Sequence, residues 1–243
     1  MKISIITISF NSAKTIEATL NSVLNQTYKN IQHIIIDGNS SDQSVQICKK
    51  FAHVSKIISE EDSGVYNAFN KGLEIANGDV VGFLNSDDTF YNNNSLQTIV
   101  DGFKKGIDAV HGNLKFYNHK NKVVRNWISK PFEKGAFKKG WMPAHPTFYC
   151  RKNIYNKYGN YNELFKIAGD FELMLRFIEA KKIKTMFIDK NLVKMKAGGI
   201  SNSGFISKIK ILKEEFFAFD LNKISLNKFS YLINKALKIK EFL

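Results

Sequence analysis

Two adjacent carboxylates, Asp87 and Asp88, follow a run of apolar and small residues, Val80-Val81-Gly82-Phe83-Leu84-Asn85-Ser86. A hard divalent cation such as Mn2+ or Mg2+ takes oxygen ligands and keeps positions open for phosphate oxygens. A strand end holds such a carboxylate rigidly. The same Ser-Asp-Asp-Thr stretch is also good turn chemistry and can cap a following helix. A further acid, Asp37, ends another apolar run and is followed by Gly38-Asn39-Ser40-Ser41-Asp42. The helix after that turn offers an anion-friendly N-terminus. Asp170 and Glu172 open a helix predicted over 170–181. Either they serve the helix N-terminus, or one of them removes a proton from a substrate hydroxyl. His145 lies between Pro143 and Pro146 and is open to a structural or a site role.

The elements that must position these groups alternate. Residues 2–10 are β-branched and apolar and predict a buried strand. Asn11 or Ser12 is placed to cap the next helix, whose apolar face carries Ile16, Leu20, Val23 and Leu24. A strand over 31–36 runs into Asp37. A helix with Val45, Ile47 and Phe51 follows, then a strand over 54–58. A helix over 64–76 carries Val65, Phe69, Leu73 and Ile75, and a strand over 79–84 leads to Asp87. Alternation of strand and helix with short connections implies a parallel sheet covered on both faces. Ligands bind beyond the carboxyl ends of such strands, so Asp37 and Asp87 should face one crevice.

After residue 105 the rhythm changes. Strands are predicted over 108–117, 122–128 and 185–195, and an irregular stretch over 129–150 holds all three prolines. Residues 205–243 predict one or two helices.

The chain of 243 residues carries 36 basic and 22 acidic side chains, a net +14. Residues 1–88 hold 7 basic and 10 acidic residues, whereas 115–166 hold 12 and 2, and 205–243 hold 8 and 4. The basic excess suggests an anionic partner, and the acidic first third suggests a cation. A metal-bound nucleotide satisfies both. Two cysteines, Cys48 and Cys150, read as free thiols of a reducing compartment. No apolar run reaches the ~18 residues of a membrane span. Residues 3–9 are too short for a secretory signal, so a cytoplasmic location is expected. The Gly-rich dinucleotide fingerprint and the phosphate loop ending in Gly-Lys-Ser/Thr are both missing, against a dehydrogenase or a Walker-type ATPase. No helix-turn-helix, zinc-finger or aromatic-basic strand motif speaks for nucleic acid.

Six blocks together resemble glycosyltransferase family 2. They are Asp37-Gly38-Asn39-Ser40-Ser41-Asp42; Glu61-Asp62-Ser63-Gly64 through Gly72; Gly78-Asp79 with Phe83 to Asp88; His145-Pro146-Thr147-Phe148; Gly169-Asp170-Phe171-Glu172 through Arg176; and Gly198-Gly199-Ile200-Ser201. They stand in the family's order and span residues 3 to about 201. The closest likeness is to bacterial enzymes that assemble O-antigen, capsule or exopolysaccharide repeat units.

The resemblance implies an α/β GT-A fold with a Rossmann-like, mostly parallel central sheet and flanking helices. Residues 1–204 would form the catalytic domain, with a nucleotide-sugar half (1–105) and an acceptor half (106–204). Residues 205–243 would be a basic amphipathic helical tail. The implied activity is inverting transfer of a hexose from a nucleotide sugar, by default a UDP-sugar, to a saccharide acceptor on a polyprenyl diphosphate. Asp37 would contact the nucleobase, and Ser9, Asp62, Asn67, Lys71, Ser86 and Asp87 would complete the donor site. Asp87 would hold Mn2+ or Mg2+, and Asp170 would be the general base. His145, Glu172 and Arg176 would lie on the acceptor side. Three positions depart from the family pattern: Asn85 replaces the first aspartate of the metal-binding motif, Gly169 replaces an acid before the base, and Ile8 replaces a proline.

In the tail, Phe205, Ile209, Leu212, Phe216 and Phe219 keep helical spacing, as do Phe229, Leu232, Ile233, Ala236 and Leu237, amid lysines 208, 210, 213, 228, 235, 238 and 240. The tail is expected to pack on the domain, to lie on an anionic membrane surface at the inner face of the cell membrane, or to do both. Two rival functions stay open at this level. One is a basic membrane-surface or polyanion-binding module without catalysis. The other is a sugar nucleotidyltransferase, which leaves the Asp170 and His145 blocks without a task.

Overall fold

The computed structural model describes residues 1–197 and 204–239, with side chains described for 1–197 and 207–237. The late block Gly198-Gly199-Ile200-Ser201, the side chain of Phe205, and lysines 238 and 240 therefore lie outside the described residues or side chains.

The first half is a run of parallel strands: β1 (Ile3–Ser9), β2 (Ile31–Asp37), β3 (Val54–Ser59) and β4 (Val80–Phe83). They are ordered β3-β2-β1-β4, so β1 is the central strand. Ile3, Ile5, Ile6, Ile34, Ile35, Val80 and Val81 are all fully buried, as expected for strands covered on both faces. Helices α1 (Ile16–Leu24), α2 (Ser44–Lys49) and α3 (Val65–Ile75) connect them.

Several local expectations are corrected. The N-terminus of α1 is not capped by an Asn11 or Ser12 side chain. The Ser12 carbonyl instead accepts from the Thr15 and Ile16 amides at 2.9 Å, while the Asn11 side chain accepts from the Ser41 amide. Leu24 is 45% exposed, and Thr19 takes a buried place on α1 beside Ile16, Leu20 and Val23. Val45 and Ile47 do lie in α2, whose buried residues are Ser44 and Cys48. Phe51 lies beyond the helix end.

The second half joins the sheet with mixed directions. Short β5 (Thr89–Phe90) and α4 (Ser95–Gly102) come immediately after Asp88. Then follow β6 (Ala109–Tyr117) and β7 (Val123–Trp127). The stretch read as irregular over 129–150 contains two short 3-10 turns and the start of β8 (Tyr149–Arg151). β8 is antiparallel to both β4 and β6, and so stitches the two halves together. β9 (Thr185–Lys196) runs parallel to β6 and antiparallel to β5. Three residues are too few to display an alternation, which is why β8 is invisible in the pattern.

Helix α5 (Lys152–Tyr158) leads to α6 (Gly169–Met174), which widens into π-helical turns over Leu175–Ala180. There the Lys181 amide donates to the Arg176 carbonyl, five residues back. The tail forms two helices, α7 (Gly204–Leu221) and α8 (Lys228–Ile239). Ala218 and Phe219 of α7 and Tyr231 of α8 are fully buried in the same apolar cluster as Phe171, Leu173 and Phe177. Both cysteines are buried and free. Among the described residues no helix is long and apolar enough to cross a membrane.

Candidate active site

The site grows from the carboxyl ends of β1, β2 and β4. Ser9 and Asp37 are register partners, and the Leu84 and Ser86 amides continue the pairing with the Ile6 and Ile8 carbonyls at 3.0 and 3.2 Å. Three sequence-distant turns are thereby brought side by side. Asp37 is 1% exposed. Its carboxylate accepts from the Ser40 amide (2.8 Å), the Ser40 hydroxyl (2.5 Å) and the Ser59 hydroxyl (2.8 Å). A carboxylate offers about four lone-pair sites, so one remains for a ligand.

Gly38 has a packing reason. A Cβ there would lie 2.7 Å from Asp62 Oδ2, so glycine lets the Asp62 side chain close over the end of β2. Asp62 Oδ1 accepts from the Gly64 amide (3.0 Å) at the start of α3. Lys71 Nζ donates to the Glu61 carbonyl (2.7 Å) and pairs with Glu60 (2.8 Å), tying α3 back to the loop. Asn67 donates to Glu163 (3.1 Å) in the second half and accepts from the Ser63 amide (3.4 Å).

One residue was overlooked by the sequence reading. Phe10, at the end of β1, is 65% exposed and lies beside Gly38. An exposed aromatic ring directly after a buried strand was the available signal.

At the end of β4, the Thr19 hydroxyl donates to the Asp88 carbonyl at 2.7 Å and clamps the turn. The Ser86 hydroxyl donates to Ser12 Oγ at 2.8 Å. Asp87 is exposed at the lip of the turn. Burial by the surrounding chain raises its pKa, and the nearby Lys196 charge opposes that. Asp88 is fully buried, and burial and the Asp87 charge push its pKa well above the usual carboxylate range.

Ser9 Oγ, Asn85 Oδ1 and both Asp88 carboxyl oxygens are shielded from water and have no hydrogen-bond partner among the described residues. Such orphaned oxygens around an exposed carboxylate fit a hard cation. Among the described residues no group of three or more His, Cys, Asp or Glu could hold a metal by itself.

Asp170 stands half-buried in the first turn of α6. Burial raises its pKa to about 6, opposed by the Phe171 amide that donates to Oδ1 at 2.8 Å. The Glu215 charge raises it further, and the Tyr66 hydroxyl favours the ionised form. Tyr66 Oη donates to the Ile167 carbonyl at 2.6 Å, so the start of α3 is bonded to the segment entering α6. The three amides of that segment, Lys166, Ile167 and Ala168, donate to the Glu214 carboxylate of α7 at 2.8–3.0 Å. Glu214 was not anticipated; nothing in the sequence marks a surface glutamate 44 residues away as a partner of this turn.

The remaining candidates are held inside the fold. His145 is 9% exposed, shares a 2.6 Å hydrogen bond with Tyr161 Oη, and sits among the rings of Phe69, Phe83 and Tyr161. Burial lowers its pKa to about 4, so it is neutral at pH 7. Glu172 is 1% exposed and forms a two-point pair with Arg176 (2.9 and 3.1 Å). The Arg176 guanidinium also donates to the Tyr158, Gly159 and Asn160 carbonyls. Asn222 of the tail donates to Glu172 Oε1 at 3.1 Å. Glu172 and Arg176 thus join α5, α6 and α7.

A model of the family described as "Glycosyl transferase family 2" matches residues 4–168. The chain belongs to glycosyltransferase family 2. An uncharacterized glycosyltransferase of Mycobacterium tuberculosis is 33% identical over 195 residues, 72% of this chain and 68% of that protein. A "PGL/p-HBAD biosynthesis glycosyltransferase" of the same species is 25% identical over 207 residues, 82% of this chain and 79% of that protein. Among solved structures, TarS residues 1–349 of S. aureus aligns with a TM-score of 0.68 at 19% identity, covering 95% of this chain and 68% of that fragment. The mannosyltransferase PcManGT of Pyrobaculum calidifontis, solved with GDP-Man and Mn2+, aligns with a TM-score of 0.70 at 16% identity, covering 97% and 69%. The family's GT-A fold is the fold described above, a mixed α/β sheet whose first half is parallel.

Proposed function

We propose that this family 2 enzyme performs an inverting, metal-dependent transfer of a hexose from a nucleotide sugar to a saccharide acceptor. A UDP-sugar is the default donor. A saccharide carried on a polyprenyl diphosphate, in the assembly of a cell-surface polysaccharide, is the acceptor class. The observation that carries the reading is Asp170: a half-buried carboxylate with a pKa of about 6, in the first turn of α6 and braced through Tyr66 against α3. A base poised near neutral pH is what removal of a hydroxyl proton needs.

The donor's nucleobase would lie at the Asp37–Gly38 turn, with Phe10 as its stacking face and Ser9 and Asp62 beside it. The solved complexes of TarS with UDP-GlcNAc and of PcManGT with GDP-Man and Mn2+ make a nucleotide sugar the natural donor class for this fold. Asp87 would be the metal ligand, with the Asn85 amide oxygen in the place of a second carboxylate. A bound Mn2+ or Mg2+ supplies positive charge for a departing diphosphate. Asp170 accepts the proton of the acceptor hydroxyl as that oxygen bonds to the anomeric carbon. The bond to the nucleoside diphosphate breaks on the opposite face, so the anomeric centre inverts. Glu172, Arg176 and His145 act by positioning the acceptor half.

The test is a thermal-shift panel of UDP, GDP, dTDP, CMP, NAD and ATP, each with Mn2+ and with EDTA. A ligand confined to the native state raises its melting temperature. A Mn2+-dependent shift with one nucleoside diphosphate is expected, followed by transfer from the matching sugar nucleotide. No shift with any nucleotide, from folded protein, would turn the reading toward a non-catalytic module. Release of free sugar nucleotide from a nucleoside triphosphate would turn it toward a nucleotidyltransferase.

A further inference from the structure

Helix α8 leaves a large apolar face outward, while its inward face carries the Tyr231 ring and the Lys235 ammonium. Tyr231 is fully buried, packs against the Phe216 and Phe219 rings at 6.0 and 5.5 Å, and donates to Glu215 at 3.0 Å. Lys235 pairs with the same glutamate at 2.5 Å. On the far side Phe229 is 75% exposed, Leu232 41%, Ile233 45% and Leu237 55%. At 3.6 residues per turn these four fall within an arc of roughly 140°, centred about half a turn from Tyr231.

A solvated helix ordinarily turns such a stripe inward. An exposed stripe of large apolar side chains marks a binding surface. On helix α7, Ile209, Phe217 and Leu221 are each at least 40% exposed, with the Phe217 ring 5.3 Å from that of Phe165.

The charges nearby are sorted. The two glutamates of α7 are spent inward, Glu214 on the amides before α6 and Glu215 on Tyr231 and Lys235. Lys208, Lys210, Lys213, Lys223 and Lys228 are exposed. Asp220 of α7 is exposed as well, so the described outward surface of the tail is apolar with five exposed lysines against one exposed acid. That combination disfavours a second copy of this chain, whose matching face would carry the same charge. It suits an anionic phospholipid surface, where apolar side chains enter the headgroup boundary and lysines meet phosphates.

We propose that the outer face of α8, with the lysines of α7 and of the α7–α8 connection, docks this protein on an anionic bilayer surface. The helix lies along the surface and does not cross it. The surface is independent of the transfer reading, and its test uses no sugar donor. Its link to the site is structural: Glu214 and Glu215 sit on the helix that joins this face to the Asp170 turn.

Co-sedimentation of the full chain with vesicles of phosphatidylglycerol and phosphatidylcholine, against pure phosphatidylcholine vesicles, tests the proposal. The chain is expected to pellet with the anionic vesicles and to be released by added salt. Phe229→Asp with Ile233→Asp is expected to weaken partitioning at least roughly tenfold, and Lys223→Gln with Lys228→Gln to do the same. These side chains are exposed, so the melting temperature should stay close to wild type. Hydrogen exchange on the unsubstituted chain provides a second measure: α8 amides should slow when anionic vesicles are added. A chain that stays in the supernatant overturns the proposal, as does undiminished binding by the aspartate variant. A dimer that the aspartate variant dissociates, without vesicle binding, also overturns it and assigns the face to a second copy.

Discussion

Gly169 lies flat against the ring of Tyr66. A Cβ at that position would meet three ring carbons at 2.7–2.9 Å. This contact leaves no room for a side chain at the position before Asp170, the proposed base. Any side chain there would push Tyr66 off the Asp170 turn and break its bond to the Ile167 carbonyl.

Gly169→Ala should therefore cost about 1–3 kcal/mol of stability, the usual range for overpacking a tight contact. Transfer should fall more than donor binding, because Tyr66 braces the base and not the nucleotide. Denaturant melts and single-turnover rates would check this. An alanine variant with wild-type stability and rate would mean that the ring moves aside freely.

Asp170→Asn should leave nucleotide binding nearly unchanged and cost roughly 10²–10⁴ in turnover. The base works deprotonated, so kcat/KM should rise with pH through about 6 and level off above it. Its pKa is raised above the ordinary carboxyl value, so between about 4 and 6 the folded chain holds a proton that the unfolded chain has lost. That contribution to stability fades as pH rises through this window. The asparagine variant should consequently melt higher than wild type at pH 8. Equal losses of nucleotide affinity and rate would remove Asp170 from the base role.

Asp87→Ala should abolish most of the Mn2+-dependent stabilisation by a nucleoside diphosphate while leaving the apo protein folded, because Asp87 is exposed. Asn85→Asp restores the second carboxylate of the motif and should lower the Mn2+ concentration needed. A metal requirement unchanged in both variants would refute the ligand assignment.

Glu214→Ala strips the acceptor from the Lys166, Ile167 and Ala168 amides. Unpaired groups of this kind cost about 1–3 kcal/mol when shielded from water. The loss should appear in kcat and in the acceptor KM, with the nucleotide affinity retained. Glu214→Gln keeps an acceptor oxygen and should recover part of the rate. A purely structural role would lower stability without shifting the pH profile; a positioning role shifts the Asp170 inflection.

Three histidines make the fold acid-sensitive. Burial holds His33 at about 3 and His111 and His145 at about 4, below the ordinary imidazole value. Their stabilisation is complete above about 6.5 and declines as pH falls toward those values, with a slope approaching about 1.4 kcal/mol per pH unit for each. The raised carboxyls of Asp87, Asp88 and Asp170 act in the opposite sense. Comparing wild type with His33→Gln between pH 7 and pH 5 isolates one imidazole, and the variant should show the shallower decline. Parallel curves would assign the acid response elsewhere.

The first half was legible because its information is local. Ile3 to Ser9 and Ile31 to Asp37 are runs whose burial follows from composition alone. The acids that follow β2 and β4 lie at one edge of the sheet, since every parallel strand in this half points the same way. The second half was less legible. β8 is three residues long, α5 has no clear apolar period, and both are fixed by contacts with β4 and β6. The turns of α8 were recognised as a helix, but nothing in its spacing says which side faces the domain. One buried tyrosine and one glutamate on a neighbouring helix decide that.

By itself the sequence determined the order of strands and helices in the first hundred residues, the family, and the positions of Asp37, Asp87 and Asp170. These follow from side-chain type, periodicity and short-range spacing. Only the tertiary structure decided which polar groups are spent and which are free. Asn67, His145, Glu172 and Arg176 have the chemistry of site residues, yet their hydrogen bonds close within the fold. Ser9, Asn85 and Asp88 keep buried oxygens without partners among the described residues. A hydrogen bond needs partners about 3 Å apart, and apart from the Glu172–Arg176 pair on one helix the groups that occupy these side chains, such as Glu163 for Asn67 and Tyr161 for His145, lie far away along the chain.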